Sequence, residues 1–443
     1  MSEGLKSIGL DVGTTSTQLV VSELTVENRA SPFSVPDMEI TRREILYRSP
    51  VYFTPLLPGD LVDGEKLREL VAAEYRAAGI ERESVDTGAV IITGETSRKE
   101  NARTVLAALS DFAGDFVVAT AGPDLESVLA AKGAGAVEFS EESGKTVLHM
   151  DIGGGTSNLA LIRDGKIAAT GCLNVGGRLV RFDETEVITY VSPVLRGITN
   201  LKVGDPAQRE ALEMVAQLLA RALETAAGRG SIPIPAALFT EEAEMRWQAP
   251  AESVVVSFSG GVADCIEREQ DWRIYGDLGV LLGWAIRKSS LCTGDYRLGS
   301  ETIRATVIGA GCHSTQLSGS TVYYQNIQFP LKNLPVVHIR DLQENPVTQT
   351  EPTVIAWPGI LSPTYAQIKT AARRMAAAQK GPVLLCLEAD MAKALGQALA
   401  LELPKGTPLL CIDRVRLPEG SYLDIGQPLE NALPVVVKTL VMK

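Results

Sequence analysis

Short extended segments alternate with helical segments along the first 300 residues of the chain. Residues 7–12 and 17–24 predict two strands of a hairpin, and apolar positions at helical spacing predict a helix over 64–79 that ends on a glycine. Further strands are expected at 43–54, 87–94, 115–121, 145–152 and 252–258, a second hairpin at 157–170, and further helices at 97–110, 124–136, 206–228 and 276–290. This alternation is typical of α/β proteins.

One local pattern occurs twice. A strand that ends in Asp-x-Gly and continues into a hairpin is found at residues 8–24 and again at 148–170. The second hairpin is expected to turn at Asp164-Gly165, a dipeptide that favours tight turns. Such an internal repeat predicts two related halves that face each other. We therefore expect a first lobe over residues 1–140 and a second lobe over residues 141–299.

A different pattern begins near residue 300. Strands are expected at 303–308, 321–328, 335–340, 353–357 and 408–417, and helices at 364–379 and 389–402. These elements predict an additional C-terminal α/β domain over residues 300–443.

Composition narrows the class of protein. A chain of 443 residues with 45% hydrophobic and 22% charged residues has the length of about three globular domains. Its net charge of −12 and its lack of a basic run disfavour nucleic acid as a partner.

We expect no membrane span, because no window of about 18 residues is continuously apolar. We also expect no secretion, because Asp11 interrupts the only candidate leader. The expected location is the cytoplasm.

The cysteines and histidines do not predict a metal centre. The six cysteines lie at least 20 residues apart, and the three histidines do not cluster with them. We therefore expect reduced and mostly buried thiols.

The first glycine turn has residue types that suit an anion. Gly13 lets the backbone approach a phosphate closely, and the amides and hydroxyls of Thr14 and Thr15 can donate to phosphate oxygens. Asp11 could hold a hydrated Mg²⁺, an ion that needs only one or two carboxylates. Taken alone, a Gly-Thr-Thr sequence is more often simply a turn.

Two later motifs strengthen this interpretation. The second copy of the Asp-led turn consists of Asp151, Gly153, Gly154, Gly155 and Thr156. Successive glycines after a buried strand weaken the strand and suit a place where backbone amides line a ligand. Asp151 would be a second carboxylate near the Mg²⁺, acting through water. A third strand end, at Ser259, Gly260 and Gly261, would allow a flat ring or a sugar to approach the backbone.

The three motifs, about 140 and then about 105 residues apart, resemble the nucleotide site of the actin, sugar kinase and heat-shock chaperone ATPase superfamily. This resemblance implies a two-lobed, actin-like (ribonuclease H-like) fold that binds ATP and Mg²⁺. It extends to two connecting helices, which we expect at 120–136 and at 276–290. Small residues there would let two helix backbones cross closely and form a hinge.

The same resemblance implies a residue that positions the attacking water. In the superfamily an acidic or amide side chain does so at the start of the first connecting helix, nine residues before a glycine. Asp124 has that spacing from Gly133 and is the expected catalytic residue together with Asp11 and Asp151. Asp124 could instead be a helix cap, and Glu126 is a nearby rival. We find no counterpart of the lysine that some heat-shock members use on the phosphates.

Within this superfamily the whole chain resembles the ethanolamine ammonia-lyase reactivating factors, chaperone-like ATPases for an adenosylcobalamin enzyme. The resemblance rests on residues 8–18, 93–101 and 308–316. It implies slow Mg²⁺-dependent ATP hydrolysis coupled to release of damaged cobalamin from the inactivated lyase, so that adenosylcobalamin can rebind. The lyase would be the direct partner and cobalamin an indirect one. A homodimer and association with a bacterial microcompartment are further expectations.

Alternatives on the same fold remain open at this stage. They are a small-molecule kinase, an ATP-binding actin-like scaffold, and an iron-sulfur activator of a dehydratase, which the dispersed cysteines disfavour. The acidic segment 31–44 and the motif 309–313 could contact a partner, although a surface loop and a structural turn are the simpler interpretations.

Overall fold

The computed structural model describes residues 3–13, 16–30, 38–57, 61–92, 109, 117–120, 123–240, 247–313, 315–319, 321–340, 352–378, 381–415, 417, 421–429 and 432–439. Thr14 and Thr15 lie outside these ranges, as does the segment 93–101 that carries part of the family resemblance. The predicted helix at 97–110 lies outside them as well, apart from residue 109.

The first sheet contains both strands of the first predicted hairpin. Its described strands are β1 Glu3–Val12, β2 Ser16–Asn28, β3 Met38–Arg48, β4 Tyr52–Phe53, β5 Thr87–Ile92 and β6 Val117–Thr120. The order is β3-β2-β1-β5-β6, with β4 beside β2. β2 and β3 run antiparallel to their neighbours, whereas β5 and β6 continue parallel to β1. Helix α1 spans Gly64–Ala78 and ends at Gly79 in the left-handed conformation, as the sequence predicts.

The second sheet repeats this arrangement. Its strands are β7 Val147–Ile152, β8 Ser157–Arg163, β9 Lys166–Leu173, β12 Val255–Ser259 and β13 Tyr296–Leu298, while β10 Val180–Phe182 pairs separately with β11 Ile188–Val191. The order β9-β8-β7-β12-β13 matches that of the first sheet in sequence and direction. The predicted internal repeat is therefore confirmed, and with it the actin-like α/β fold.

The helices that follow the first sheet include the pair that crosses between the lobes. They are α2 Pro123–Gly133, α3 Ala136–Ser143, α4 Arg209–Ala226, α5 Gly279–Arg287 and α6 Ala305–His313. α6 packs extensively against α2 and against β1 of the first sheet. A Cβ atom on Gly133 would lie 1.9 Å from the Ala305 carbonyl oxygen, and one on Gly309 would lie 2.0 Å from that of Leu129. The two helix backbones therefore touch.

Two predictions in this region are wrong. The second connecting helix is α6, and not the helix predicted at 276–290, because the helix found there, α5, packs on α4 within the second lobe. Residues 303–308 were expected to form a strand, on β-branched residues such as Ile303 and Val307, but most of them belong to α6. A helix that is buried on every side has no polar face, so its period does not show in the sequence.

The C-terminal residues form a third, mixed sheet. Its strands are β14 Thr315–Leu317, β15 Tyr323–Gln325, β16 Leu331–His338, β17 Val354–Trp357, β18 Val383–Leu387, β19 Leu409–Asp413, β20 Ser421–Ile425 and β21 Pro434–Thr439. β16 to β19 are parallel, and helices α7 Tyr365–Ala378 and α8 Ala392–Glu402 connect them. Both helices and four strands were predicted to within four residues at each end; β14, β18, β20 and β21 were missed. The boundaries at residues 140 and 299 stay predictions.

Each of the three sheets packs against buried apolar residues, and two smaller clusters join the first sheet to α6 and to the C-terminal part. The largest apolar cluster lies in the second lobe around Phe258, Met150 and Leu219. All six cysteines are free and buried, as the sequence predicts. Among the described residues, no helix has both the length and the apolar character needed to cross a membrane.

Candidate functional site

The two Asp-led turns are closed by the same backbone hydrogen bond. The Gly13 amide donates to the Ser16 carbonyl at 2.9 Å, and the Gly153 amide donates to the Thr156 carbonyl at the same distance. The preceding aspartates also match, since Asp11 pairs in register with Gln18 and Asp151 with Asn158. The structure thus places both predicted phosphate turns at equivalent strand ends of two equivalent sheets.

The third motif lies directly beside the second turn. β12 is parallel to β7, so that Ser259 lies opposite Asp151 in register. The Ser259 hydroxyl donates to Asp151 Oδ1 at 2.5 Å, and the Thr306 hydroxyl of α6 donates to Oδ2 at 3.4 Å. Burial raises the pKa of Asp151, against these hydrogen bonds, which lower it. One carboxyl group therefore connects the second turn, the third motif and the crossing helix.

His149 extends this network and was not predicted from the sequence. It is fully buried on β7, with Nε2 at 2.8 Å from the Ser259 hydroxyl and Nδ1 at 3.1 Å from the Ser257 hydroxyl. Burial lowers the pKa of His149 to about 3, so the ring is neutral. Because Ser259 gives its proton to Asp151, the hydrogen-bond network assigns the His149 ring proton to Nε2. A histidine between the apolar residues Leu148 and Met150 of a buried strand was the available signal.

Some glycines of the site are required by packing. A Cβ atom on Gly260, whose φ is +86°, would lie 2.3 Å from the Ile152 carbonyl oxygen. One on Gly176 would lie 2.4 Å from the carbonyl oxygen of Gly154. These positions let three backbone segments meet.

Other glycines of the site face open space. Nothing lies within 4 Å of a Cβ atom built on Gly155, and the nearest atom to one built on Gly261 is 3.9 Å away, on Ile303. The described structure gives no packing reason for glycine at these two positions. Their lack of a side chain leaves room for a ligand against the backbone, which fits a nucleotide.

Asp124 is at the exposed start of α2. Its Oδ1 accepts a hydrogen bond from the Thr170 hydroxyl at 2.5 Å. Thr170 lies on β9, where it pairs in register with Ala160 of β8. β8 is the strand of the second sheet that follows the Gly153 turn. Asp124 therefore links α2 to the second sheet, and its role toward water stays a prediction. Glu126, the rival residue, is half-buried on the same helix.

Residues 176–178 form a loop that was not predicted to belong to the site, and this loop is hydrogen-bonded to the backbone of the second turn. The Gly177 amide donates to the Gly153 carbonyl at 3.0 Å, and the Arg178 amide donates to the Gly154 carbonyl at 2.6 Å. These bonds hold the backbone of residues 176–178 against the turn.

Comparison with known families decides the classification. The family model described as "Ethanolamine utilisation protein EutA" matches residues 3–443. The chain belongs to the EutA family. The ethanolamine ammonia-lyase reactivase EutA of Salmonella typhimurium strain LT2 is 39% identical over an alignment of 474 residues, and that of Escherichia coli K12 is 38% identical over 463. Each alignment covers 98% of both chains. The predicted family is therefore confirmed.

The chain is also similar to solved structures of lower identity. A Ppx/GppA family member from Aquifex aeolicus is 12% identical with a TM-score of 0.43, and the match covers 69% of this chain and 97% of that one.

Proposed function

We propose that this chain is an ATP-dependent reactivating factor that releases damaged cobalamin from inactivated ethanolamine ammonia-lyase, so that adenosylcobalamin can rebind. Two relatives named ethanolamine ammonia-lyase reactivase, each aligned over 98% of both chains, support the client. The observation that supports a nucleotide site is the pair of equivalent Asp-led turns, the second of which is bonded to the third motif through Asp151 and Ser259.

The two turns would bind the phosphates through their backbones. The residues proposed for this contact are Gly13, Thr14, Thr15, Gly153, Gly154, Gly155 and Thr156, and those proposed for the adenosine are Ser259, Gly260 and Gly261. Open space at Gly155 and Gly261 lets a ligand approach the chain closely.

Asp11 and Asp151 differ in how well each suits direct binding of Mg²⁺. Asp11 is half-buried and therefore keeps contact with solvent, as a carboxylate that binds a hydrated ion must. Asp151 is buried and already accepts hydrogen bonds on both oxygens, so it suits contact through water. When bound, Mg²⁺ would neutralise charge on the phosphates. Asp124 would orient the attacking water from the start of α2.

The contact between α2 and α6 would transmit a conformational change from the nucleotide site to the client enzyme. Thr306 lies on α6 and donates to Asp151, so a change at the second turn reaches the helix that packs on α2. In the proposed mechanism, ATP and ADP favour different angles between the lobes, and one of these states docks on the lyase and loosens its cofactor. A change in binding is sufficient, and no covalent step on cobalamin is needed.

Recovery of lyase activity tests the proposal. Ethanolamine ammonia-lyase is inactivated with cyanocobalamin and then incubated with the purified protein, ATP, Mg²⁺ and free adenosylcobalamin. We expect activity to return, and to stay absent when ATP is omitted. ATP hydrolysis without recovery would contradict the proposed client, and recovery without ATP would contradict the nucleotide dependence. The cytoplasmic location, the homodimer and the microcompartment association remain predictions.

A further inference from the structure

We propose that Arg178, whose guanidinium lies over the ring of Phe53 in the first lobe, is a phosphate-binding cation of the nucleotide site. This inference deepens the proposed function, because it requires that the turns bind a nucleotide. It supplies the positive side chain that the sequence motifs lack.

The main chain of Arg178 is part of the second turn's support. Its amide donates to the Gly154 carbonyl at 2.6 Å, and the adjacent Gly177 amide donates to Gly153. A Cβ atom on Gly177 would lie 2.9 Å from the Cα atom of Gly279, so the segment is held closely on both sides. The guanidinium therefore starts from a backbone position that is fixed relative to the glycines of the turn.

Phe53 lies on β4, next to the first turn. It pairs in register with Ser16, whose carbonyl closes the Gly13 turn, and the adjacent Thr54 hydroxyl donates to the Gly13 carbonyl at 2.8 Å. Phe53 is 77% exposed, so its ring is accessible to a side chain from the second lobe. The Arg178 guanidinium carbon lies 5.6 Å from the centre of this ring. A cation from the loop beside the second turn thus lies next to a residue that pairs with the first turn.

The guanidinium of Arg178 also forms an ion pair with Asp277. Arg178 Nε lies 3.3 Å from Asp277 Oδ2, while Asp277 Oδ1 accepts from the Gly279 amide at 2.7 Å. Burial raises the pKa of Asp277 to about 6 although the arginine lowers it, so this carboxylate is poorly solvated. Arginine carries five N–H donors, and in the described part of the chain this guanidinium is bonded to Asp277 alone. Donors therefore remain for a second anion, and phosphate is one that arginine binds in a bidentate manner.

A purely structural role is the competing explanation. In that case the arginine would only join the two lobes through Phe53, and its loss would weaken every ligand of the cleft equally. A phosphate ligand would instead affect ATP and leave adenosine unchanged. Arg181 offers a matched control, because it is exposed, lies three residues away, and stacks at 4.9 Å on Tyr190 of its own lobe.

Binding of ATP and of adenosine to the full chain, measured by calorimetry, separates these explanations. For Arg178→Met we expect ATP affinity to fall by about tenfold or more, the scale of one charge-assisted contact, with adenosine affinity within about twofold of the original. Arg181→Met should leave both affinities unchanged. Equal affinity of Arg178→Met and the unaltered chain for ATP would overturn the inference, as would an equal loss for ATP and adenosine.

Two further variants complete the test. Arg178→Lys keeps the charge without the planar fork, so we expect an intermediate loss for ATP alone; this variant decides the question if Arg178→Met does not fold. Phe53→Ala should retain ATP affinity within about twofold, and a loss as large as that of Arg178→Met would show that the arginine acts through the lobe contact. If the unaltered chain binds no ATP, the proposed function itself is wrong. Unchanged ATP binding by Arg178→Met refutes only this inference.

Discussion

The Ser259 hydroxyl donates to Asp151 at 2.5 Å and stands at 2.8 Å from His149, so one buried hydroxyl joins the third motif to the second turn. The two strands that carry these residues are adjacent and parallel, although more than 100 residues separate them in the chain. A buried carboxyl is held in place by hydrogen bonds on both of its oxygens.

Replacement of Ser259 by Ala should affect both stability and nucleotide binding. Loss of the hydroxyl leaves His149 and Asp151 each without one partner, and we expect the free energy of unfolding to fall by about 1 to 3 kcal/mol. Nucleotide affinity should fall as well, because Asp151 is no longer fixed. Ser257→Ala is the matched control: it also removes a bond to His149 but does not touch Asp151. Equal nucleotide affinity in the two variants would contradict the role of Ser259.

Replacement of either aspartate should abolish Mg²⁺-dependent ATP turnover. We expect Asp11→Ala and Asp151→Asn to lower the rate by about 100-fold or more, the scale seen when a group that stabilises transition-state charge is lost. Circular dichroism should show a folded chain in each case. Asp295→Asn, which removes an exposed partner of Lys145, should keep the original rate. Normal turnover by Asp11→Ala would show that this carboxylate does not hold the ion.

Asp124 is predicted to act on water and not on nucleotide affinity. Asp124→Ala should slow ATP hydrolysis by about 100-fold, the contribution typical of a positioned acid or base, and leave ATP affinity within about threefold. Thr170→Val removes the hydroxyl that bonds to Asp124 and should have a smaller effect. Glu126→Gln tests the rival residue. An unchanged rate for Asp124→Ala would refute the assignment.

The crossing of α2 and α6 should not tolerate a methyl group. A Cβ atom on Gly133 would lie 1.9 Å from the Ala305 carbonyl oxygen, so the helices would have to separate. We expect Gly133→Ala to lower the free energy of unfolding by about 1 to 3 kcal/mol or more, as overpacked cores do. Gly381→Ala is the control, because nothing lies within 4 Å of its Cβ position. Urea denaturation measures both, and equal midpoints would mean that the helices lie farther apart.

His149 should make the fold sensitive to acid. Its pKa is about 3 in the folded chain, below the ordinary value of 6.5, so between these values the unfolded chain binds a proton that the folded chain does not. The contribution of His149 to stability is therefore complete above pH 6.5 and falls as the pH drops, by about 2 kcal/mol at pH 5. His149→Gln should lose less stability than the unaltered chain between pH 7.5 and pH 5. His338→Gln, at an exposed histidine, should behave like the unaltered chain.

Local patterns predicted a large part of the fold. The hairpin at Asp164-Gly165, the helix that ends at Gly79 and the buried strand before Asp151 follow from turn chemistry and from the period of apolar residues. The repeat of the Asp-led turn correctly predicted two sheets of one topology. Elements in the C-terminal part were found less completely: the strands β14, β18, β20 and β21 were missed. A strand such as β18 is apolar and buried at every position, so it has no alternating period by which to recognise it.

The sequence by itself determined the two equivalent turns, the α/β class and the family, since these depend on residue types at short spacing and on similarity along the whole chain. Only the tertiary structure decided which helix crosses α2, and only it joined His149, Ser259 and Thr306 around Asp151. It also placed Arg178, from the loop beside one turn, over the ring of Phe53, which pairs with the other turn. The physical reason is that these contacts connect residues about 110 to 180 positions apart, and such pairings depend on how complete sheets and helices pack, which no local period records.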